Sequence, residues 1–324
     1  IGGSVWSETD ANRIFDSGEQ PVPGVVIELL DESGSVTDTT QTNSRGEYRF
    51  SYLSPGVYSV RQVQPAGLFH GGQVVGSAGG EEGGENLLVG IELAGGVSAR
   101  DYDFPEIPPA TISGFVFQDG DALALEEPPT PEPPRDYQDG ILTEDDIGLA
   151  NVTMQLRDEQ GRAVNARDTL SGTYPLCAVQ AYTDGNGFYE FTGLRPGTYH
   201  IYQVHPDGYV DGLDMPGSKG GVAINAGDTL SPESLAMLNL LSAVDATNPG
   251  TDAILSIRVS GGESSTDNNF SELVVEDPPT PYRPLDAPVE FRGMTETPAN
   301  IEDFQQPIRI SAFAAPGGLQ NPLD

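Results

Sequence analysis

Oxygen-bearing side chains recur at short intervals in the segment from residue 8 to residue 19. They are Glu8, Asp10, Asn12, Asp16 and Glu19. Counted from the first of them, they fall at positions 1, 3, 5, 9 and 12 of a calcium loop of the EF-hand type. Ile14 at position 7 would add its carbonyl oxygen. No helix-like pattern flanks the segment, so the spacing predicts either a calcium site in a β protein or a metal-free polar turn.

One residue of this loop departs from the usual pattern. Arg13 stands at position 6, where a glycine normally makes the sharp turn. A left-handed backbone costs an arginine free energy, and its cation would lie near the ligands unless it points away. Calcium is still our prediction, because carboxylates that alternate along a tight loop can converge on one hard cation.

A second and less regular set of oxygen ligands follows later in the chain. Positions 5, 6, 7, 9 and 12 of the loop are matched by Asp139, Gly140, Ile141, Thr143 and Asp146. The first ligands would come from Asp119 and Asp121, across a proline-rich insertion, with Asp136 as a competitor. We therefore predict a second calcium site in which the carbonyl of Ile141 joins the carboxylates of Asp119, Asp121, Asp139 and Asp146.

These loops lie within a tandem repeat. The stretch "TNSRGEYRFSYLSPGVYSVRQVQPAG" from Thr42 matches "TDGNGFYEFTGLRPGTYHIYQVHPDG" from Thr183, an offset of 141 residues. A second block, "GGVSARDYDFPE", matches "GGESSTDNNFSE" at an offset of 166. Identities shared in the same order indicate two copies of one unit, the second with about 25 extra residues between the blocks.

Each copy has the pattern of β-strands. Val25, Ile27 and Leu29 alternate with their neighbours, as do Val152, Met154 and Leu156 in the second copy. Alternation of this kind buries one face of a sheet, so two sheets must pack together in each copy. The one predicted helix is "SPESLAMLNLLSAV" (Ser231–Val244), with Ser231 as its cap and its leucines packed on the core.

The repeat sets the predicted domain boundaries. The first domain spans residues 1–107 and the second residues 108–276, with a polyproline loop at residues 127–134 and the helix as insertions. Residues 277–324 form a proline-rich, extended tail in which "PIRISAF" (Pro307–Phe313) is the one strand-like piece.

The composition restricts the function. Fifteen Lys and Arg residues against 49 Asp and Glu give a formal net charge of -34. Such a surface repels nucleic acid and anionic membranes and attracts cations. No segment approaches the length of about 20 apolar residues that spans a membrane. Cys177 is the single cysteine, and we expect a small buried side chain there, with an interchain bond or a reactive thiol as the alternatives. No signal peptide is present and the sequence opens abruptly at Ile1, so we expect a mature or partial chain.

The motifs resemble a known family. "GGSVWSETDANRIFDSGEQPVPGVVIEL…GEYRFSYLSPGVYSVRQVQPAG" is similar to the B-type repeats of serine-aspartate-repeat surface adhesins, the SdrD B-like domains, which are related to collagen-adhesin B-type domains. The resemblance covers both copies and leaves the tail aside. It implies an all-β chain of two tandem immunoglobulin-like (prealbumin-like) sandwiches, located outside a bacterial cell or on its surface, used as stalk or spacer and made rigid by Ca²⁺.

No catalytic constellation accompanies these motifs. His70, His200 and His205 lack the spacing of a zinc site, and we expect surface or rim positions for them. Lys219 lies in a glycine-rich loop, which argues against the lysine–asparagine crosslink of collagen-adhesin relatives. We therefore predict a protein that is not an enzyme: a structural or adhesive module of a fibre, stalk or surface layer.

Two other functions are compatible with the same sequence. A glycan- or protein-binding adhesion module would need exposed aromatic side chains, for which Tyr137 and Tyr209 are candidates and Trp6 is not. An accessory domain of a larger secreted enzyme is the third possibility. The expected partners are further copies of the chain, bound when the "PIRISAF" strand adds to a neighbour's sheet edge, or other surface proteins.

Overall fold

The computed structural model divides the chain into two units, Ile1–Glu276 and Asp277–Asp324. It describes residues 1–120, 139–144, 146–170, 174, 178–225, 231–232, 234–236 and 252–274. All of these lie in the first unit, and their regular structure is almost entirely β.

Ten strands belong to the first repeat, and they form two sheets. The strands are β1 (Gly2–Ser7), β2 (Gln20–Pro21), β3 (Val26–Asp31), β4 (Val36–Gln41), β5 (Glu47–Arg49), β6 (Gly56–Gln62), β7 (Phe69–His70), β8 (Glu81–Gly84), β9 (Leu87–Leu93) and β10 (Phe104–Ile107). One sheet has the order β2-β1-β10-β7, with β5 also paired to β1, and the other has the order β4-β3-β6-β9-β8.

The second repeat reproduces this arrangement. Its strands are β11 (Ala110–Gln118), β12 (Ile147–Gly148), β13 (Thr153–Asp158), β14 (Gln180–Tyr182), β15 (Phe188–Leu194), β16 (Gly197–Gln203), β17 (Tyr209–Asp211), β18 (Val222–Ala223), β19 (Ala253–Val259), β20 (Ser264–Ser265) and β21 (Phe270–Val274). The sheet orders are β12-β11-β21-β17, with β15 and β20 also on β11, and β14-β13-β16-β19-β18. A short 3₁₀ helix lies at Ala166–Asp168.

Each repeat buries one core between its two sheets. The predicted inward residues Ile27 and Leu29 are 0% and 1% exposed, and Met154 and Leu156 of the second repeat have the same values. They pack with Phe104 and Phe270, respectively, from the opposite sheet. The predicted fold class is therefore confirmed: the described residues form two tandem immunoglobulin-like sandwiches, and their regular structure is almost entirely β.

The first and last strands of each repeat lie side by side and parallel, as β1 with β10 and β11 with β21. Close approach at this seam requires glycine. A Cβ at Gly3 would lie 1.9 Å from the carbonyl oxygen of Tyr102, and one at Gly114 would lie 1.8 Å from that of Asn268. The two backbones could not pair so closely with any other residue at these positions.

Several predictions made from the sequence concern the insertions of the second repeat, among them the helix that begins at Ser231. Ser231 caps the start of the predicted helix, because its Oγ accepts a hydrogen bond from the Ser234 backbone at 3.1 Å. Leu235 is 50% exposed, so the core contact expected for it is wrong. Leu238, Leu241, Cys177, the polyproline loop and the tail lie outside the described residues. The domain boundaries stay a prediction, although no strand of one repeat pairs with the other in the described ranges.

Candidate metal-binding loops

The first acidic loop connects β1 to β2, two neighbours in one sheet. Glu8, the first predicted ligand, directly follows β1, and Glu19, the last, directly precedes β2. Glu8 is 1% exposed and Glu19 is 7% exposed, whereas Asp10, Asn12, Ile14 and Asp16 are exposed. The strands therefore fix two buried carboxylates, and the loop between them carries the remaining oxygens.

The predicted side chains of this loop converge. One carboxylate oxygen from each of Glu8, Asp10 and Glu19 lies within 4.8 Å of the others. The Asn12 amide nitrogen donates to Asp10 at 2.9 Å and to Asp16 at 2.6 Å. All five side chains named from the spacing thus belong to one polar cluster.

Backbone amides hold the two buried carboxylates in place. Glu8 accepts hydrogen bonds from the backbone N–H groups of Ala11 at 3.0 Å and Arg13 at 2.9 Å. Glu19 accepts from those of Thr9 at 2.9 Å and Asp16 at 3.0 Å. Burial raises the pKa of Glu8, and hydrogen bonding to Glu19 and Asp10 raises it further.

Arg13 accommodates the turn that glycine usually makes. Its φ is +61°, in the left-handed region, which is strained for an arginine. Its guanidinium points away from the carboxylates, toward the Gln73 carbonyl at 3.4 Å and Glu82 at 3.3 Å. The departure from the usual pattern therefore does not place a cation among the ligands.

The second loop has the same hydrogen-bond pattern. Asp119, 2% exposed, accepts from the Gly140 backbone at 2.8 Å, as Glu8 does from Arg13. Asp146 accepts hydrogen bonds from the Gly120 backbone at 2.9 Å and the Thr143 backbone at 2.6 Å. Glu19 accepts in the same way from the backbones of Thr9 and Asp16 in the first loop. Asp139 accepts from the Ile141 backbone at 2.9 Å, as Asn12 does from Ile14. The structure thus places Asp119, Asp139 and Asp146 in one loop.

Two predicted participants are not described in this loop, since Asp121 and its competitor Asp136 lie in the undescribed segment. Asp139 and Ile141 are exposed, and Gly140 has a φ of +75°. Position 6 is therefore left-handed in both loops.

Three side chains outside the loops, Trp6, Lys219 and His200, also have positions predicted from the sequence. Trp6 is 2% exposed and packs on Phe15, so its core position is confirmed. Lys219 pairs with Glu263 at 2.6 Å on the surface.

His200 is 2% exposed, so the expectation of a surface or rim position is wrong. The central strand β16 is covered on both faces, which buries His200.

Sequence reasoning missed a further acidic cluster in the second repeat. It comprises Asp211, Asp214, Asp252 and Glu272, with His205 beside them. A comparison of the two repeats position by position would have shown it, because the first repeat has a carboxylate only at the position equivalent to Glu272.

Comparisons with known proteins agree with this description. Residues 1–84 match the SdrD B-like domain family. The chain is 26% identical over 229 residues to the serine-aspartate repeat-containing protein D of Staphylococcus aureus (strain Newman), covering 71% of this chain and 15% of the relative. Against protein F of Staphylococcus epidermidis, the identity is 26% over 249 residues, or 72% of this chain and 12% of the relative. The chain thus spans only a small part of the relatives it matches.

Solved structures of pilins also align with the chain. The GBS52 minor pilin of Streptococcus agalactiae is 14% identical, with 87% of this chain and 98% of that chain covered and a TM-score of 0.29. The shaft pilin SpaA of Lactobacillus rhamnosus GG is 12% identical, with 86% and 98% covered and a TM-score of 0.32.

The family resemblance stated from the sequence is confirmed by these matches. With it, the expected localisation outside a bacterial cell or on its surface is confirmed. These matches support a cell-surface module of the adhesive or structural kind. In the described part of the chain, no helix has the length and apolar character needed to cross a membrane.

Proposed function

We propose that this chain is a calcium-stiffened structural segment of a bacterial surface protein, serving as part of a stalk, fibre or layer. The observation that carries the proposal is the repeated loop. Two acidic loops hold their first and last carboxylates with equivalent hydrogen bonds, at the same strand junction, in tandem sandwiches.

The residues of the loop fit calcium. Their donors are all oxygen atoms, and three carboxylates already lie within 4.8 Å of one another. Glu8, Asp10, Asp16 and Glu19 would hold the ion, with Asn12 turned to present its amide oxygen and Ile14 its carbonyl. Calcium would supply two positive charges to a cluster of four carboxylates, which otherwise repel one another.

Stiffness has a second source in the link between the repeats. Strand β10 ends at Ile107 and β11 begins at Ala110, so Pro108 and Pro109 alone connect the two sandwiches. Proline fixes φ, which limits bending at the connection. A Cβ at Gly261 would lie 3.0 Å from the backbone oxygen of Glu8, so the first loop begins beside the second repeat. Calcium bound there would order the junction itself.

Trypsin cleavage tests the loop directly. Arg13 is half-exposed within the first loop, and Arg45 is an exposed arginine in another turn of the same repeat. Calcium should slow cleavage after Arg13 about tenfold or more relative to a chelator, because an ordered loop must open before a protease can bind it. Cleavage after Arg45 should not change.

The variant E8Q/E19Q is the matched control, since it removes two carboxylates and keeps the side-chain size. Calcium should no longer protect Arg13 in this variant. If calcium fails to protect Arg13 in the native chain, or protects Arg45 and Arg13 equally, the first loop is not a calcium site.

Assembly is the second part of the proposal. The segment Pro307–Phe313 would add as a strand to an exposed sheet edge of a neighbouring copy, satisfying backbone groups on both. Deletion of residues 301–324 should abolish polymers seen by electron microscopy. Unchanged polymers in the deleted chain would remove this part of the proposal and leave the calcium loops unaffected.

Ligand binding is a second candidate function, favoured by one feature. The side chain of Tyr52 is fully exposed in a loop, and Phe15 of the first acidic loop is 48% exposed. Aromatic rings presented in this way suit sugars or a partner protein. A glycan array probed with and without calcium tests this function. Specific binding that Tyr52→Ala abolishes would support it, and the absence of binding would contradict its glycan form.

A further inference from the structure

The second repeat binds the segment of chain that enters it, Pro108–Thr111. The Gly262 N–H donates a hydrogen bond to the carbonyl oxygen of Pro108 at 3.1 Å, and the Thr111 N–H donates one to that of Glu263 at 3.0 Å. One side of the entering segment is therefore held by the backbone of a turn between β19 and β20.

The other side of this segment pairs with the end of β15. Ala110 lies opposite Leu194 in the ladder, and both side chains are 0% exposed. An extended segment with a small side chain therefore fits between β15 and the turn that contains Gly262.

The first repeat has a cavity in the equivalent place. The repeat offsets of 141 and 166 residues carry Leu53 to Leu194 and Gly96 to Gly262. Leu53, Gly96 and Val97 line a cavity of about 1100 Å³, the entry groove, together with residues of β1 and β5. Val97 is 49% exposed. The surface that binds an extended segment in the second repeat is thus accessible to solvent in the first.

Two arginines give the entry groove a charge that its counterpart lacks. Arg49 and Arg100 line it, at the positions of Glu190 and Thr266 in the second repeat. None of the ion pairs between described residues includes either guanidinium. Cations are scarce in a chain with 15 Lys and Arg against 49 Asp and Glu, so two of them at one groove favour an acidic occupant.

Two carboxylates, Glu47 and Asp101, also line the entry groove. Glu47 is already paired with Arg45 at 2.8 Å, so the two add no net charge. Asp101 has a counterpart in the second repeat, Asp267, with the same left-handed backbone (φ +63° and +62°). The arginines are therefore the change in charge that distinguishes this groove.

An exposed tyrosine lines the same groove. Tyr52 is fully exposed and has a φ of +60°, at the position where the second repeat has Gly193 with a φ of +68°. A left-handed backbone costs a tyrosine free energy that a glycine does not incur, and such strain is concentrated at functional positions. An exposed aromatic ring beside a groove for extended chain is suited to contact proline.

We propose that the entry groove binds residues Glu276–Thr280 of a second copy of the chain, so that copies join head to tail. This segment, Glu-Asp-Pro-Pro-Thr, follows the last strand of the second repeat as Pro108–Thr111 follows β10. Its carboxylates would meet Arg49 and Arg100, and its prolines would contact Tyr52. Five residues bury too little surface for a permanent contact, so this one joins copies transiently.

Fluorescence anisotropy with a labelled peptide of residues 275–282 tests the groove. The full-length acceptor carries E276Q/D277N, so that its own segment competes only weakly. The peptide should bind saturably, and R49Q/R100Q in the acceptor should weaken binding about tenfold or more, because charged hydrogen bonds are lost. R167Q/R258Q, which removes two exposed arginines of the second repeat, should leave the affinity unchanged.

Sedimentation velocity of full-length variants identifies the source of the segment. E276Q/D277N should reduce concentration-dependent self-association about as much as R49Q/R100Q does. E126Q/E127Q changes the other acidic segment that contains Pro-Pro-Thr-Pro and should not reduce it. The opposite result would overturn the proposal, because the insertion of the second repeat would then be the occupant.

The contact rests on the proposed role in a fibre but is separate from strand addition by Pro307–Phe313. A peptide of residues 307–313 should not displace the labelled peptide, so a failure of strand addition and a failure of the groove are distinguishable. R49Q/R100Q should keep the native circular dichroism spectrum, since the same fold carries Glu190 and Thr266 at these exposed positions. Absence of saturable binding, or equal binding to folded R49Q/R100Q, would overturn the proposal.

Discussion

Asp103 is a carboxylate at a position where the second repeat has an amide. Its Oδ1 accepts a hydrogen bond from the Ser4 backbone at 2.6 Å, and Oδ1 of Asn269 accepts one from the Phe115 backbone at 3.0 Å. The two side chains serve the same purpose at the seam between the first and last strands. An amide does so without a charge, so D103N should stabilise the first repeat at neutral pH.

The magnitude follows from the pKa. Burial raises the pKa of Asp103 from 3.8 to about 6; the Ser4 N–H opposes this change, and the charge of Asp101 adds to it. Because the pKa is higher in the folded state, ionisation destabilises the fold. The penalty is absent below about pH 4, grows as pH rises, and is complete above the folded pKa. The rise in the pKa of Asp103 on folding corresponds to a loss of about 3 kcal/mol in the free energy of unfolding, which solvent screening reduces to about 2 kcal/mol.

Thermal unfolding across a pH series measures the effect. D103N should raise the melting temperature of the first repeat by about 8 °C at neutral pH and by much less near pH 4. The reciprocal variant N269D should destabilise the second repeat at neutral pH and recover on acidification. Tyr48, also buried beside Asp103, titrates far above this window and should not contribute.

A pH-independent gain would refute this reasoning, because it would show that the amide packs better and not that a charge was removed. Loss of stability at neutral pH in D103N would show that the ionised carboxylate strengthens the hydrogen bond from Ser4 by more than its burial costs.

Backbone geometry gives three further predictions, each measured by urea unfolding. R13G should change the stability of the first repeat by less than about 1 kcal/mol, because relief of the left-handed backbone offsets the lost side-chain contacts. G140A should destabilise the second repeat by at least about 2 kcal/mol, because the added Cβ would lie 2.3 Å from the Leu213 carbonyl oxygen; equal effects of these two changes would contradict the loop geometry. Gly3→Ala should lower the free energy of unfolding by more than about 3 kcal/mol, because the added Cβ would separate the parallel seam strands. Gly185→Ala should have little effect, because no atom lies within 4 Å of the added Cβ. If Gly3→Ala destabilises the protein as little as Gly185→Ala, the seam strands can separate without loss of stability.

The sequence was most informative where structure depends on local spacing. Glu8 and Glu19 could be identified because both lie within one short loop, and their hydrogen bonds follow from the chain's own turn. The second loop was harder, since an insertion separates Asp119 from Asp139. Its register could still be read from Asp139 to Asp146, and the structure shows the same backbone donors there.

The buried cluster could not be read from spacing, because pairing between distant strands assembles it. Asp211 meets Glu272 only through the β17–β21 ladder. The error at His200 has a related cause. Alternation suggests that one face of a strand meets solvent, but both faces of β16 are covered, with Tyr202 buried at 1% on the face opposite the main core. Sequence periodicity does not report which strands become central.

Calorimetric unfolding of the full chain in calcium and in a chelator tests the central claim most directly. With affinities of about 0.1–1 mM, typical of extracellular modules, about 10 mM calcium should stabilise each loop-bearing repeat by roughly 1.4–2.7 kcal/mol. That corresponds to an upward shift of roughly 5–15 °C in the native chain and little shift for the first repeat of E8Q/E19Q. Superimposable transitions of the native chain in calcium and in chelator would contradict a calcium-stiffened module.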